Sequence, residues 1–143
     1  MTTKASVDFL GTLAGLVVAV LIMRMVLRMS EFSAVRGDIS LLIGVRLLGA
    51  LARYGIIVGY YGGRGDALRY HAAGVLLRQD ALRGDWSEWV YVGGTHSLEL
   101  ANAVIGAPAF GSIVGEFFIF SALGFAGLAL CAAALRRSAP KLP

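Results

Sequence analysis

The sequence predicts an all-α integral membrane protein: about three transmembrane helices plus an extracytoplasmic segment with amphipathic juxtamembrane helices. Three observations lead there. Of the 143 residues, 57% are hydrophobic and only 15% are charged, against about a quarter charged in ordinary globular domains. The mean hydropathy is +0.73. The apolar residues also fall in runs long enough for a hydrocarbon core of about 30 Å, which about 20 helical residues cross. A soluble fold of this size has too few charges to cover so much apolar surface, whereas lipid solvates it directly.

The first predicted span covers about residues 9–28. Its core from Phe9 to Met23 carries no charge, and Arg24 and Arg28 at its end are placed to snorkel to the headgroups. The stretch is long and has no small-residue cleavage site, so it reads as a retained helix rather than a signal peptide. A polar break from Ser30 to Asp38 follows, with Glu31, Arg36 and Asp38.

The second predicted span is 39–61. It carries Arg46 and Arg53, seven residues apart and so near one helix face. An in-plane interfacial helix is the competing reading. At membrane depth an arginine costs roughly 2.5–3.5 kcal/mol on insertion scales unless it is paired or snorkelled. Glu116 is a candidate partner; a group outside this chain is the other.

Residues 62–107 differ in kind, with four arginines and five carboxylates. Gly62, Gly63 and Gly65 break the preceding helix and Asp66 starts a new one. Leu68, Ala72, Val75, Gln79 and Leu82 lie along one stripe, with Asp66, Arg69, Asp80 and Arg83 on another. This helix is too charged to span and suits a membrane surface or a helical partner. Trp86, Trp89 and Tyr91 form an aromatic cluster of the headgroup kind. A short apolar helix is expected from Leu98 to Ile105, stopping at Gly106 and Pro108. The third span is placed at about 110–135, because Phe117 to Leu135 is uncharged. Gly111, Gly115, Gly124 and Gly127 offer small surfaces for helix approach.

Orientation follows from charge. Arg24, Arg28 and Arg36 in the break, and Arg136, Arg137 and Lys141 in the tail, are the basic flanks. The positive-inside rule puts them, and the C-terminus, in the cytoplasm and the middle segment outside, as in a multi-pass protein of the cell (inner) membrane. The net charge of +4 is scattered rather than clustered with aromatics, so nucleic acid is not an expected partner. The lone Cys131 and the absence of paired His/Cys spacings exclude a disulfide framework and a recognisable metal site.

Chemistry concentrates in Tyr60-Tyr61-Gly62-Gly63-Arg64-Gly65-Asp66-Ala67-Leu68-Arg69-Tyr70-His71. A carboxylate after a glycine-rich turn at a membrane exit has two readings. Asp66 is a general base on an acceptor hydroxyl, or holds a divalent cation against a phosphate, with Arg64 and Arg69 as phosphate contacts. Alternatively it is the N-cap of the helix it heads.

The run YYGGRGDALRYHAAGVLLRQ, the aromatic patch, the VGGT turn and the late helix GSIVGEFFIFSALGFAGLAL resemble the N-terminal portion of large bacterial polytopic membrane proteins, similar to C-type-fold glycosyltransferases and polysaccharide polymerases. The resemblance runs from Ile39 to the C-terminus, and Gly65-Asp66 with Tyr70-His71 is its sharpest element. It implies transfer of a sugar from a polyprenyl-phosphate carrier at the extracytoplasmic face, with Asp66 as the catalytic loop carboxylate. Arg64, Arg69, Tyr70 and His71 become its substrate-binding neighbours and a divalent cation the candidate cofactor. Such proteins carry many more helices, so the chain reads as a piece of a larger protein, inactive by itself. The alternative is a small non-catalytic transmembrane subunit packing against a larger membrane complex.

Overall fold

A computed structural model describes residues 2–29, 32 and 39–138. Five α-helices form, and there is no strand among the described residues. They are α1 (Thr2–Leu27), α2 (Ile39–Gly55), α3 (Asp66–Leu82), α4 (Thr95–Ile105) and α5 (Ile113–Ser138). A π-helical turn, Ile56–Tyr60, extends α2, and a 3₁₀ turn, Ala107–Ala109, joins α4 to α5. Three stretches are long and apolar enough to cross a membrane: Ala5–Leu27, Leu41–Tyr60 and Ile113–Ser138. Most of the polar break and Lys141 lie outside the described residues.

The bundle is built on α1 and α5, whose contact is the most extensive in the molecule. Glycine makes it possible. A Cβ on Gly15 would collide with the backbone of Gly115, and one on Gly11 with the carbonyl oxygen of Ala109. Small residues let two backbones approach closely, the packing by which membrane helices associate through dispersion contacts. Thr12 and Ser112 share a hydroxyl hydrogen bond of 2.7 Å beside this contact. Further along, Ala19, Met23 and Leu27 pack with Phe118 and Ala122. The matching order of these contacts makes α1 and α5 parallel. Helix α2 runs antiparallel to α5: Tyr54 meets Phe117 edge-on at 5.8 Å, while Arg46, two turns earlier, reaches Ser121. The outer faces stay apolar, with Phe9, Leu13, Val17, Leu21, Leu41, Val45, Leu48 and Leu128 all exposed, as suits helices solvated by lipid.

Helices α3 and α4 pack on each other at the end of the bundle where α5 begins. Gly74 permits it, since a Cβ there would lie 2.9 Å from the backbone nitrogen of Ala103. The buried residues of α3 are Gly74 and Leu77, so its packed face is rotated from the expected stripe. Ala72, Gln79 and Leu82 of that stripe are exposed. The N-cap is also displaced: Gly65 caps the helix, and Asp66 is its first residue, with no side-chain capping bond.

Helix α5 starts at Ile113 rather than near Phe110. Pro108 sits in the 3₁₀ turn, and Phe110 (φ 48°) and Gly111 (φ 84°) take left-handed conformations that end it. Two successive left-handed residues cannot belong to an α-helix.

Candidate functional site

Helices α2, α3, α4 and α5 enclose a cleft of about 500 Å³ near the start of α5. Arg46 and Arg53 of α2, Tyr70 and His71 of α3, Asn102 of α4, and Glu116 and Ser121 of α5 line it. From Ile113 to Ser121 the helical rise of 1.5 Å per residue makes about 12 Å, so the cleft extends well down the bundle from its α3–α4 end.

Glu116 is the anchor. It is only 2% exposed. Arg78 Nη2 donates to its Oε1 at 3.1 Å, and His71 Nδ1 lies 2.7 Å from its Oε2. Arg78 Nη1 also donates to the carbonyl oxygens of Asn102 and Ala103, at 3.0 and 3.2 Å. One guanidinium therefore ties α3, α4 and α5 together, and both carboxylate oxygens of Glu116 are filled. Among the described residues no buried side-chain polar atom is left without a hydrogen bond. Gly106 closes the cluster from the α4 side. Any Cβ there would run into Glu116 Oε1 and lie 2.7 Å from Arg78 Nη1.

Glu116 is thus not the partner of the α2 arginines. Arg46 Nε donates to the Ser121 carbonyl at 3.4 Å, and Ser121 Oγ donates back to the Arg46 carbonyl at 3.3 Å. Neither Arg46 nor Arg53 forms an ion pair among the described residues. The cleft wall of α2 therefore presents two positive charges that no carboxylate among the described residues answers.

The residues singled out in the sequence divide. Tyr70 and His71 line the cleft. Arg64, Asp66 and Arg69 are exposed and do not line it. Asp66 precedes Ala67, which lines it. Helical geometry explains the split within α3: Arg69 lies about 160° around the helix from His71, so it faces out when His71 faces in. No group of three His, Cys, Asp or Glu side chains suited to a metal ion occurs among the described residues. Glu116 and Arg78 are the residues that sequence reasoning missed in these roles. A carboxylate in the first turn of an apolar helix was the available signal; its partners, 38 and 45 residues away, were not deducible.

A second cavity, of about 550 Å³, lies on the other side of Arg78. Val75, Leu82, Trp86, Trp89, Val104 and Phe110 make it mainly apolar. Trp89 Nε1 donates to the Leu77 carbonyl at 3.1 Å and Trp86 packs on Trp89 at 5.3 Å, which fastens this aromatic loop to α3. His96 fastens it to α4: Nε2 lies 2.9 Å from the Glu88 carbonyl oxygen and Nδ1 3.2 Å from Glu99 Oε2. Both partners are acceptors, so both contacts are hydrogen bonds only in the imidazolium form. The Glu99 carboxylate, and then the Glu88 carbonyl, hold the His96 pKa above its ordinary 6.5.

No protein-family model, curated protein or solved structure matches this chain.

Proposed function

We propose that the chain is a membrane-embedded, glycosyltransferase-like protein, or the N-terminal part of one, whose cleft takes the phosphate of a lipid-linked sugar at the extracytoplasmic face. The observation that carries this reading is the pair Arg46 and Arg53 on one wall of the cleft, without a carboxylate among the described residues. Two such charges at membrane depth cost roughly 2.5–3.5 kcal/mol each on insertion scales. A phosphate between them offsets that cost, and its lipid tail occupies the bilayer beside α2. Arginine suits the task because its planar fork bonds phosphate oxygens in pairs. Asp66, which precedes the cleft-lining Ala67, is the loop carboxylate that the resemblance to C-type-fold enzymes implies. Arg64 and Arg69, both exposed, are its basic neighbours in the sequence.

Binding tests the reading. The full chain in nanodiscs is titrated with geranylgeranyl phosphate, geranylgeraniol and inorganic phosphate. The phosphorylated lipid is expected to bind best, and Arg46→Ala or Arg53→Ala to weaken it about tenfold or more, as for loss of a charged hydrogen bond. Equal binding of the alcohol, or indifference to both substitutions, would overturn it.

The competing reading, a non-catalytic subunit, draws on α2. Its span is the least covered of the three, and Gly44, Gly49, Gly55 and Gly59 meet open space. A larger membrane partner that seats on α2 and supplies an acidic side chain to Arg46 or Arg53 would exclude the lipid phosphate. Co-purification of such a partner, with loss of the complex in the arginine variants, would favour this second reading.

A further inference from the structure

We propose that His71 is the proton-accepting group of the cleft and that Glu116 is its positioning residue; the proposal rests on the lipid-phosphate reading for the identity of the ligand. The geometry is that of a carboxylate–imidazole dyad. Glu116 is nearly inaccessible, and its Oε2 lies 2.7 Å from His71 Nδ1. Arg78 already places a positive charge on the other carboxylate oxygen, at 3.1 Å. The Nδ1–H of His71 fills the remaining acceptor, which fixes the tautomer and turns Nε2 into the ring's free lone pair. His71 lines the cleft, and no hydrogen bond from its Nε2 to another described residue occurs. The other histidine, His96, has both ring nitrogens occupied, so the two histidines of the chain are arranged for different tasks.

A buried carboxylate that orients an imidazole, with the far nitrogen open to a ligand cavity, is the arrangement of a general base. In transfer from a lipid-phosphate sugar, the acceptor hydroxyl oxygen bonds to the anomeric carbon. The bond from that carbon to the phosphate oxygen breaks, and its electron pair stays on the phosphate. The hydroxyl proton passes to His71 Nε2. The imidazolium so formed lies against Glu116, and the charge gained by the phosphate is met by Arg46 and Arg53. Asp66 has no comparable orientation: it is exposed, and no side-chain capping bond holds it.

Two measurements on the full chain in nanodiscs decide the matter. With ¹⁵N-labelled histidine, the His71 ring is expected as the Nδ1–H tautomer, with Glu116→Gln giving a mixture of tautomers. Diethylpyrocarbonate, which acylates a free imidazole nitrogen, is expected to modify His71 in preference to His96, as read by mass spectrometry. Geranylgeranyl phosphate should slow His71 modification about tenfold at about 90% occupancy, and Arg46→Ala with Arg53→Ala should remove the protection while leaving the reactivity. An Nε2–H tautomer, an unreactive His71, or full reactivity with the phosphate lipid bound would overturn the proposal. A free, reactive Nε2 in a protein that fails to bind the phosphate lipid would sink the ligand reading alone and leave the base in place.

Discussion

A carboxylate held 2% exposed in the first turn of a 26-residue apolar helix stays charged only if its surroundings replace water. Arg78 and His71 do so for Glu116, and removing one partner of such a buried pair typically costs about 3–5 kcal/mol because the other is left uncompensated. Gly106 is part of the same arrangement, since the space its missing side chain leaves is filled by Glu116 Oε1. Gly106→Ala is therefore expected to destabilise the protein by about 1–3 kcal/mol, as overpacking does, and to release Arg78 from Glu116. Thermal unfolding in detergent measures it. Gly127→Ala, on an open face of α5 where a Cβ meets nothing within 4 Å, is the control and should be neutral or slightly stabilising. Comparable losses in both variants would show that the space at Gly106 does not matter. None of this was readable in the sequence. Glycine before a proline-containing turn looks like a helix stop, and Gly106 is one, but its close approach to a carboxylate ten residues on depends on the whole α4–α5 corner.

Among the elements, the legible ones were those fixed by local pattern. Long apolar runs, uncharged in the first and third spans and holding Arg46 and Arg53 in the second, pointed to the three long apolar helices, and a glycine cluster followed by Asp66 to the start of α3. The start of α5 was less legible, because the left-handed pair Phe110–Gly111 leaves no trace in hydropathy. So was the packed face of α3, where Gly74 is chosen for proximity to α4 rather than for its own polarity. The loop from Gly84 to Gly94 has an aromatic signature that points to an interface, yet besides Trp89 a histidine contact fastens it. His96 gives this loop a pH dependence. Its folded pKa is raised above 6.5 by Glu99 and the Glu88 carbonyl, so its contribution is complete below that ordinary value and is lost as pH rises through the raised one. The charged groups that face the ring are Glu99 on α4 and Glu88 on the loop, both of which favour the imidazolium. Acrylamide quenching of the tryptophan fluorescence should therefore increase as pH passes upward through that window, and His96→Ala should be quenched strongly at every pH. A wild-type profile flat from about pH 6 to pH 9 would show that the contact does not hold the loop.

For the molecule as a whole, helix direction and charge agree. Parallel α1 and α5 bring Arg24 and Arg28 to the same end as Arg136 and Arg137, and antiparallel α2 returns the chain to the opposite end, where α3 and α4 sit. The sequence located the basic flanks; the parallel register seen at Thr12–Ser112 and Gly15–Gly115 puts them towards one end of the bundle. On the positive-inside rule that end is expected in the cytoplasm and the α3–α4 end outside. The orientation is testable with single cysteines in a Cys131→Ser background. Ser87, in the exposed aromatic loop, and Ser138, at the far end of α5, are both exposed. In intact cells a membrane-impermeant maleimide should label Ser87→Cys, and should label Ser138→Cys only after the membrane is permeabilised. Native Cys131, exposed on the outer face of α5, should resist the same charged reagent in both conditions if lipid covers that face, and should react once detergent-solubilised protein is denatured. The reverse pattern at positions 87 and 138 would turn the molecule over and put the α3–α4 end in the cytoplasm. Free reaction of Cys131 in membranes would mean that α5 is not sheathed by lipid there, and would shift weight toward a water-filled or protein-covered surface along its length.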